Sequence, residues 1–289
     1  MSHAAAEIAT QPDCWRRAAT VPTAGLPRPG ERVAVVGCGT SWFMAMAYAA
    51  RREAIGHGET DAFQASEFPA GRAYDRVVAI SRSGTTTEVV DLLTTLRDGP
   101  TGTTALVGDP STPAGQAADQ AVALPFADER SVVQTRFATT ALAVLRAGLG
   151  EDVAALSADA SRALAEPLPA EPAQVTFLGT GWTVGLAQEA ALKCREAAGF
   201  WAEAYPAMDY RHGPIAIAAP GRLVWAFGDV PPGLADEVAA TGATFVGGRA
   251  TLDPMAQLIL AQRFALALAA SRGLDPDAPR HLTRSVVLP

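Results

Sequence analysis

Residues 76–93 read RVVAISRSGTTTEVVDLL. The apolar run Val77–Ile80 after Arg76 predicts a strand over Arg76–Ile80, buried on both faces. Ser81 to Thr87 crowd hydroxyls around Gly84. A helix follows through Leu96, with apolar residues at helical spacing. A buried strand that turns directly into a helix is the unit of a parallel sheet.

The same alternation extends in both directions. Upstream, Arg32–Val36 reads as a strand that enters Gly37-Cys38-Gly39-Thr40-Ser41 and then a helix over Trp42–Ala54. Thr60–Gln64 reads as a further strand. Downstream, Thr104–Val107 and Ala121–Leu124 read as strands and Thr135–Gly148 as a helix. Glu7–Thr20 reads as a short helix interrupted at Pro12, and Pro22–Gly30 as a connector. EPLPAEP at 166–172 reads as a linker, after which the pattern restarts. Val175–Leu178, Leu223–Phe227 and Thr244–Val246 read as strands, Leu234–Thr241 and Pro254–Ser271 as helices. VAVVGCGTS (33–41) echoes VTFLGTGWT (175–183), and ASEFPAG (65–71) echoes AEAYPAM (202–208). The expected fold is α/β, an internal duplication of two subdomains, each a doubly wound parallel sheet flanked by helices. The expected parts are an N-terminal helix and connector over 1–30, a first subdomain over 31–165, and a second over 166–289 that includes the C-terminal tail.

Charge narrows the function. The formal net charge is −7 and no basic run is present, which argues against a nucleic-acid partner. The apolar helix Met255–Ala270 is interrupted by Gln257, Gln262 and Arg263, so it reads as buried and amphipathic, not as a membrane span. The N-terminus has no signal-peptide pattern. Cys14, Cys38 and Cys194 form no CxxC, so neither a disulfide framework nor a metal site is expected. A reduced, cytoplasmic setting follows as an expectation. No cofactor is expected either. Trp42 stands where a dinucleotide loop needs its third glycine, and Gly179/Gly181/Gly185 has the wrong spacing.

Two stretches carry chemistry. Ser81–Thr87 offers neutral donors and a permissive Gly84 at a helix start, which suits a phosphate monoester held without a metal. A plain Ser/Thr helix cap is the simpler alternative. The second stretch, 186–214, reads LAQEAALKCREAAGFWAEAYPAMDYRHGP. Its first half is helical and places Glu189, Lys193 and Glu196 on one face. It ends near Gly199, and a loop is expected to carry Glu203, Tyr205, Pro206 and then His212. Lys193 is the only lysine in an arginine-rich chain, which points to a site that needs a compact ammonium. The plainer alternative is a surface helix pair of about 0.3–0.5 kcal/mol. In the second half the counterpart of the hydroxyl loop is Gly228-Asp229-Val230-Pro231, a poorer phosphate cradle. One half then holds a phosphate and the other carries the acid–base groups.

At these residues the chain resembles the sugar isomerase (SIS) family, most of all the isomerase half of glucosamine-6-phosphate synthase and free-standing phosphosugar isomerases and deaminases. QPDCWRR, GCGTS, ASEF, SRSGTTTEVVDLL, SVVQTRFATT, ALKCREAAGFWAEAYPAMDYRHGP and DPDAPRHLTRSV match in order over nearly the whole chain. The resemblance implies two SIS-type subdomains. It implies a phosphate held by Ser41, Ser81, Ser83 and Thr86 with the backbone near Val132, and with Arg82, Gln134 and Arg284 around the substrate. It casts Glu196 as the base between C1 and C2, and His212 as the ring opener reaching in from the other subunit of a homodimer. Lys193 becomes an electrostatic aid, and Glu189 the residue that orients the histidine. The implied reaction is aldose–ketose isomerisation of a sugar or amino-sugar 6-phosphate, or deamination or deglycation through the same enediol. A non-catalytic phosphosugar sensor is the alternative.

Three departures are visible. No glutaminase-type segment precedes the motifs, so a glutamine-dependent synthase reaction is not expected. Gln134 replaces a small hydroxyl residue. Arg284 stands where the family has a lysine able to form an imine, which a guanidinium cannot do.

Overall fold

The computed structural model describes residues 2–247 and 251–288. Helix α1 (His3–Ala9) stops one residue before α2 (Gln11–Ala18), whose first turn holds Pro12 where no amide donor is missed. Then follow β1 (Val33–Gly37), α3 (Thr40–Ala54), β2 (Thr60–Gln64), β3 (Arg76–Ser81), α4 (Thr87–Leu96), β4 (Gly102–Val107), α5 (Pro113–Ala117), β5 (Gln120–Ala123) and α6 (Arg136–Gly148). Helix α7 (Val153–Ala165) leads to β6 (Gln174–Gly179), α8 (Thr183–Ala198), β7 (Ala202–Pro206), β8 (Arg222–Ala226), α9 (Leu234–Ala240), β9 (Thr244–Val246) and α10 (Pro254–Ser271).

The strands form two all-parallel sheets, ordered β2-β1-β3-β4-β5 and β7-β6-β8-β9. The first four strands of the first sheet and all four of the second share one order, so the duplication read from the sequence is present in the topology. The central strands β1 and β6 are buried along their whole length. Helices cover both faces, as parallel sheets require.

Helices α3 and α8, one from each half, pack against each other between the sheets. Their contact needs Gly185, where a Cβ would stand 2.4 Å from the Phe43 carbonyl oxygen. This close crossing brings the N-terminal turn of α3 near the last two turns of α8.

Two expectations are corrected. Residues 202–206 are not loop but the edge strand β7, which pairs in parallel with β6 and is only half-buried. Helix α10 is buried on nearly every side, including Gln257 and Gln262. Its glutamines are not a solvent face. Gln262 Oε1 accepts from Gln11 Nε2 at 2.7 Å, Gln11 Oε1 from the Thr139 hydroxyl at 2.7 Å, and Thr139 Oγ1 from Trp15 Nε1 at 3.1 Å. This chain of bonds ties α2, α6 and α10 together. No helix among the described residues is long and apolar enough to cross a membrane.

Candidate active site

The order of the first sheet reverses between β1 and β3. Loops leaving the carboxyl ends of two such strands flank a crevice, the usual ligand position in an open α/β sheet. Ser81 ends β3 and is buried. Its Oγ accepts the Gly84 amide at 3.2 Å, and Ser83 Oγ accepts the Thr85 amide at 3.3 Å. Gly84 sits at φ +63°, and a Cβ there would meet Thr112 Oγ1 at 2.0 Å, so the turn admits only glycine. Helix α4 starts at once behind the loop, with Thr86 at its N-cap. From β1 the chain turns into α3, whose first turn carries the buried Ser41. Ser41, Ser81, Arg82, Ser83, Thr86, Gln134 and Arg284 all line one cavity of about 80 Å³.

Buried charges organise this loop: Arg82, expected around the substrate, and two carboxylates that sequence reasoning missed, Glu129 and Glu7. Arg82 donates to the carbonyls of Ser131 (2.9 Å), Val132 (3.2 Å) and Arg284 (3.0 Å), and lies 3.6 Å from Glu129. Its guanidinium therefore ties three segments together. Glu129 Oε1 accepts the Thr135 and Arg136 amides at 2.6 and 2.7 Å and the Thr135 hydroxyl at 2.8 Å, which caps α6. Burial pushes the Glu129 carboxyl up, and Arg82 and Thr135 oppose that. From α1 the buried Glu7 accepts the Arg130 amide at 2.5 Å and the Ser131 hydroxyl. No local motif announces these carboxylates, because every partner except the α6 cap is distant in sequence.

The acid–base residues lie on α8. The Lys193 Nζ sits 3.4 Å from Glu189 Oε1, donates to Glu196 Oε2 and donates to Thr40 Oγ1 at 3.0 Å. Glu189 and Lys193 are fully buried, whereas the Glu196 side chain keeps 19% of its exposure. Burial pushes the Glu189 carboxyl up to about 8, against the pull of Lys193. Burial alone would lower the Lys193 ammonium, but Glu189 and Glu196 outweigh it and hold the group above its ordinary value. Glu196 also lines a larger cavity of about 580 Å³ between the end of α8 and the C-terminal segment around Pro279 and Leu282.

Thr40 is the link between the halves, since its neighbour Ser41 faces the small cavity. Glu189, Lys193 and Glu196 are thus brought together beside the hydroxyl loop. Val132 takes part through its carbonyl, which Arg82 holds. Arg284 pairs with Asp128 at 2.5 Å. His212 stands apart, exposed at the end of the turn Asp209–His212. Among the described residues, no hydrogen bond or ion pair joins it to Glu189, which faces Lys193 and Thr40. Nor is any group of three or more His, Cys, Asp or Glu among the described residues placed to hold a metal ion.

No family model matches the chain. Among curated proteins it is similar to the isomerising glutamine–fructose-6-phosphate aminotransferases. The Aeropyrum pernix protein is 37% identical over 139 residues, covering 39% of this chain and 22% of that protein. The Gloeobacter violaceus protein is 25% identical over 320 aligned residues, covering 89% of this chain and 52% of the relative. The chain therefore spans about half the length of these relatives, or less.

Solved structures with the same fold include a glucosamine-6-phosphate deaminase from Thermotoga maritima, with TM-score 0.86, 24% identity and coverage of 99% of this chain and 100% of that one. They also include a tagatose-6-phosphate ketose/aldose isomerase from Escherichia coli, with TM-score 0.80, 18% identity and coverage of 100% and 96%. These relatives and neighbours match the sugar isomerase resemblance carried by the sequence motifs.

Proposed function

We propose that this chain is a phosphosugar enzyme that works as a homodimer. It interconverts the aldose and ketose forms of a sugar or amino-sugar 6-phosphate, or releases the amine from an amino-sugar phosphate through the same enediol. The observation that supports this most is the junction at Thr40. It joins a proton-transfer trio to a hydroxyl-lined cavity at a helix start.

In this reading the phosphate takes hydroxyl donors from Ser41, Ser81, Ser83 and Thr86 and sits at the positive end of α4. Arg82 stands behind them and keeps the loop in shape, with Gln134 and Arg284 at the rim. The sugar carbons extend toward Glu196. Its carboxylate takes a proton from one of C1 and C2 and returns it to the other. Lys193 offsets the negative charge that develops on the enediolate oxygen. His212 opens the sugar ring from the other subunit. Its exposure, with the exposed Met208 beside it, suits a turn that is covered on dimerisation. Arg284 acts by charge alone.

A thermal-shift panel of sugar phosphates against their parent sugars tests the reading, and an ammonia-release assay on the hits separates deaminase from isomerase. Phosphorylated sugars should stabilise the chain and parent sugars should not. Ser83→Ala should weaken phosphosugar binding by about 1–2 kcal/mol, one hydrogen bond to a charged group. Equal stabilisation by both sets of sugars would remove the phosphate reading.

A further inference from the structure

The hydroxyl loop opens on the small cavity. The C-terminal segment runs along the loop, and its Arg284 lines the same cavity. Ser285 Oγ accepts from Ser83 Oγ at 3.2 Å and from Thr85 Oγ1 at 2.9 Å, and lies 3.4 Å from Thr86 Oγ1, where either hydroxyl can donate. On one side of it, the Thr87 amide donates to the Val286 carbonyl at 3.2 Å and the Leu288 amide donates to Thr87 Oγ1 at 2.9 Å. On the other side, Arg82 holds the Arg284 carbonyl and Asp128 holds the Arg284 guanidinium. The segment is fastened on both sides of Ser285, which is half-buried and is not part of the cavity wall.

We propose that Ser285 is a positioning residue for the substrate phosphate: its hydroxyl orients that of Thr86, so that phosphate binding and docking of the C-terminal segment are coupled. The inference rests on reading this loop as the phosphate site. A hydroxyl carries one proton and two acceptor lone pairs. If Thr86 is to give its proton to an anion, it can offer only a lone pair to Ser285. Ser285 can fill it with its own proton while it accepts from Thr85, and the Ser83 hydroxyl, which here donates to Ser285, turns to the anion. The bonds then run from Thr85 through Ser285 to Thr86 and on to the phosphate, each polarising the next. Ser285→Ala breaks that chain, yet the bonds of the Val286 carbonyl and the Leu288 amide to Thr87 remain. The loss should therefore fall on the phosphate and not on the fold. Coupling is reciprocal, so an anion that prefers the docked segment must protect it by the same factor.

The test uses the full chain, inorganic phosphate and the phosphorylated hits of the panel. Trypsin cleavage after Arg284 is followed by mass as the loss of residues 285–289. In the wild type, phosphate should slow this cleavage. Ser285→Ala should bind phosphate about tenfold more weakly, the equivalent of one hydrogen bond, and should lose that protection. Ser285→Thr should restore both. In turnover assays the rise in KM should exceed any fall in kcat. An alanine variant that binds phosphate as tightly as the wild type, or phosphate that speeds the cleavage, overturns the proposal and makes the segment a bystander or a competitor. A wild type that binds neither phosphate nor any sugar phosphate overturns the phosphate reading itself, and this inference with it.

Discussion

Glu196→Gln should lower turnover of a phosphosugar by about 10²–10⁴-fold while phosphosugar binding survives. The amide keeps the shape of the carboxylate and its contact with Lys193 Nζ, but it can no longer take up a proton from carbon. Of the two carboxylates on α8, only Glu196 reaches a cavity large enough for a sugar, because Glu189 is fully buried. The phosphate anchor lies across the Thr40 junction, so the two functions should separate cleanly in the data. Binding is read by thermal shift and proton transfer by solvent exchange at C2. A variant with full exchange would remove Glu196 as the base.

The same variant tests the dimer. Among the described residues no hydrogen bond or ion pair joins His212 to the trio of its own chain, so His212→Ala should be inactive for a different reason. Mixed Glu196→Gln and His212→Ala chains should recover part of the activity if the imidazole comes from the other subunit. Mixtures that stay inactive despite proven subunit exchange would place a complete site in each chain.

The parts of this molecule that are legible in its sequence are those with local causes. β1 and β3 declare themselves because a strand stretch buried on both faces must be apolar, and VAVVG and VVAI are. β7 escapes notice because an edge strand need bury only part of itself, and AEAYP reads like a loop with a proline. Lys193 is legible as the one lysine among arginines, and the trio follows from helical spacing. Glu7 and Glu129 are not legible. Glu7 holds the loop at Arg130 and Ser131, and Glu129 faces Arg82, over distances in sequence that only the folded topology closes. The same holds for Ser285, which meets the hydroxyl loop from the far end of the chain. A motif can mark which hydroxyls face a phosphate, but not which groups stand behind them.

Loss of the Lys193 ammonium should cost more stability than any other change in the site, and the cost should grow with pH. The ammonium is buried between Glu189 and Glu196, and burial of a charge is tolerated only while it is paired. Burial holds the Glu189 carboxyl near 8, against 4.5 for the ordinary group. Between those values the folded chain keeps a proton that the unfolded chain has released, so stability falls as pH rises through that window. Above about pH 8 the wild type has released this proton too, and its loss from this group levels off. Lys193→Met removes the charge that opposes burial, so Glu189 titrates higher still and the variant goes on losing stability. The cost should be about 3–5 kcal/mol where Glu189 is ionised in the wild type, and less near neutrality, where Glu189 carries its proton. Glu189→Gln keeps the shape without the titration, so it should be the milder change and should flatten the wild-type decline below pH 8. Denaturant unfolding of the three chains on either side of pH 8 measures this directly. An equal loss at both pH values in Lys193→Met would show that the lysine and Glu189 are not coupled. A wild-type slope retained in Glu189→Gln would place its source elsewhere.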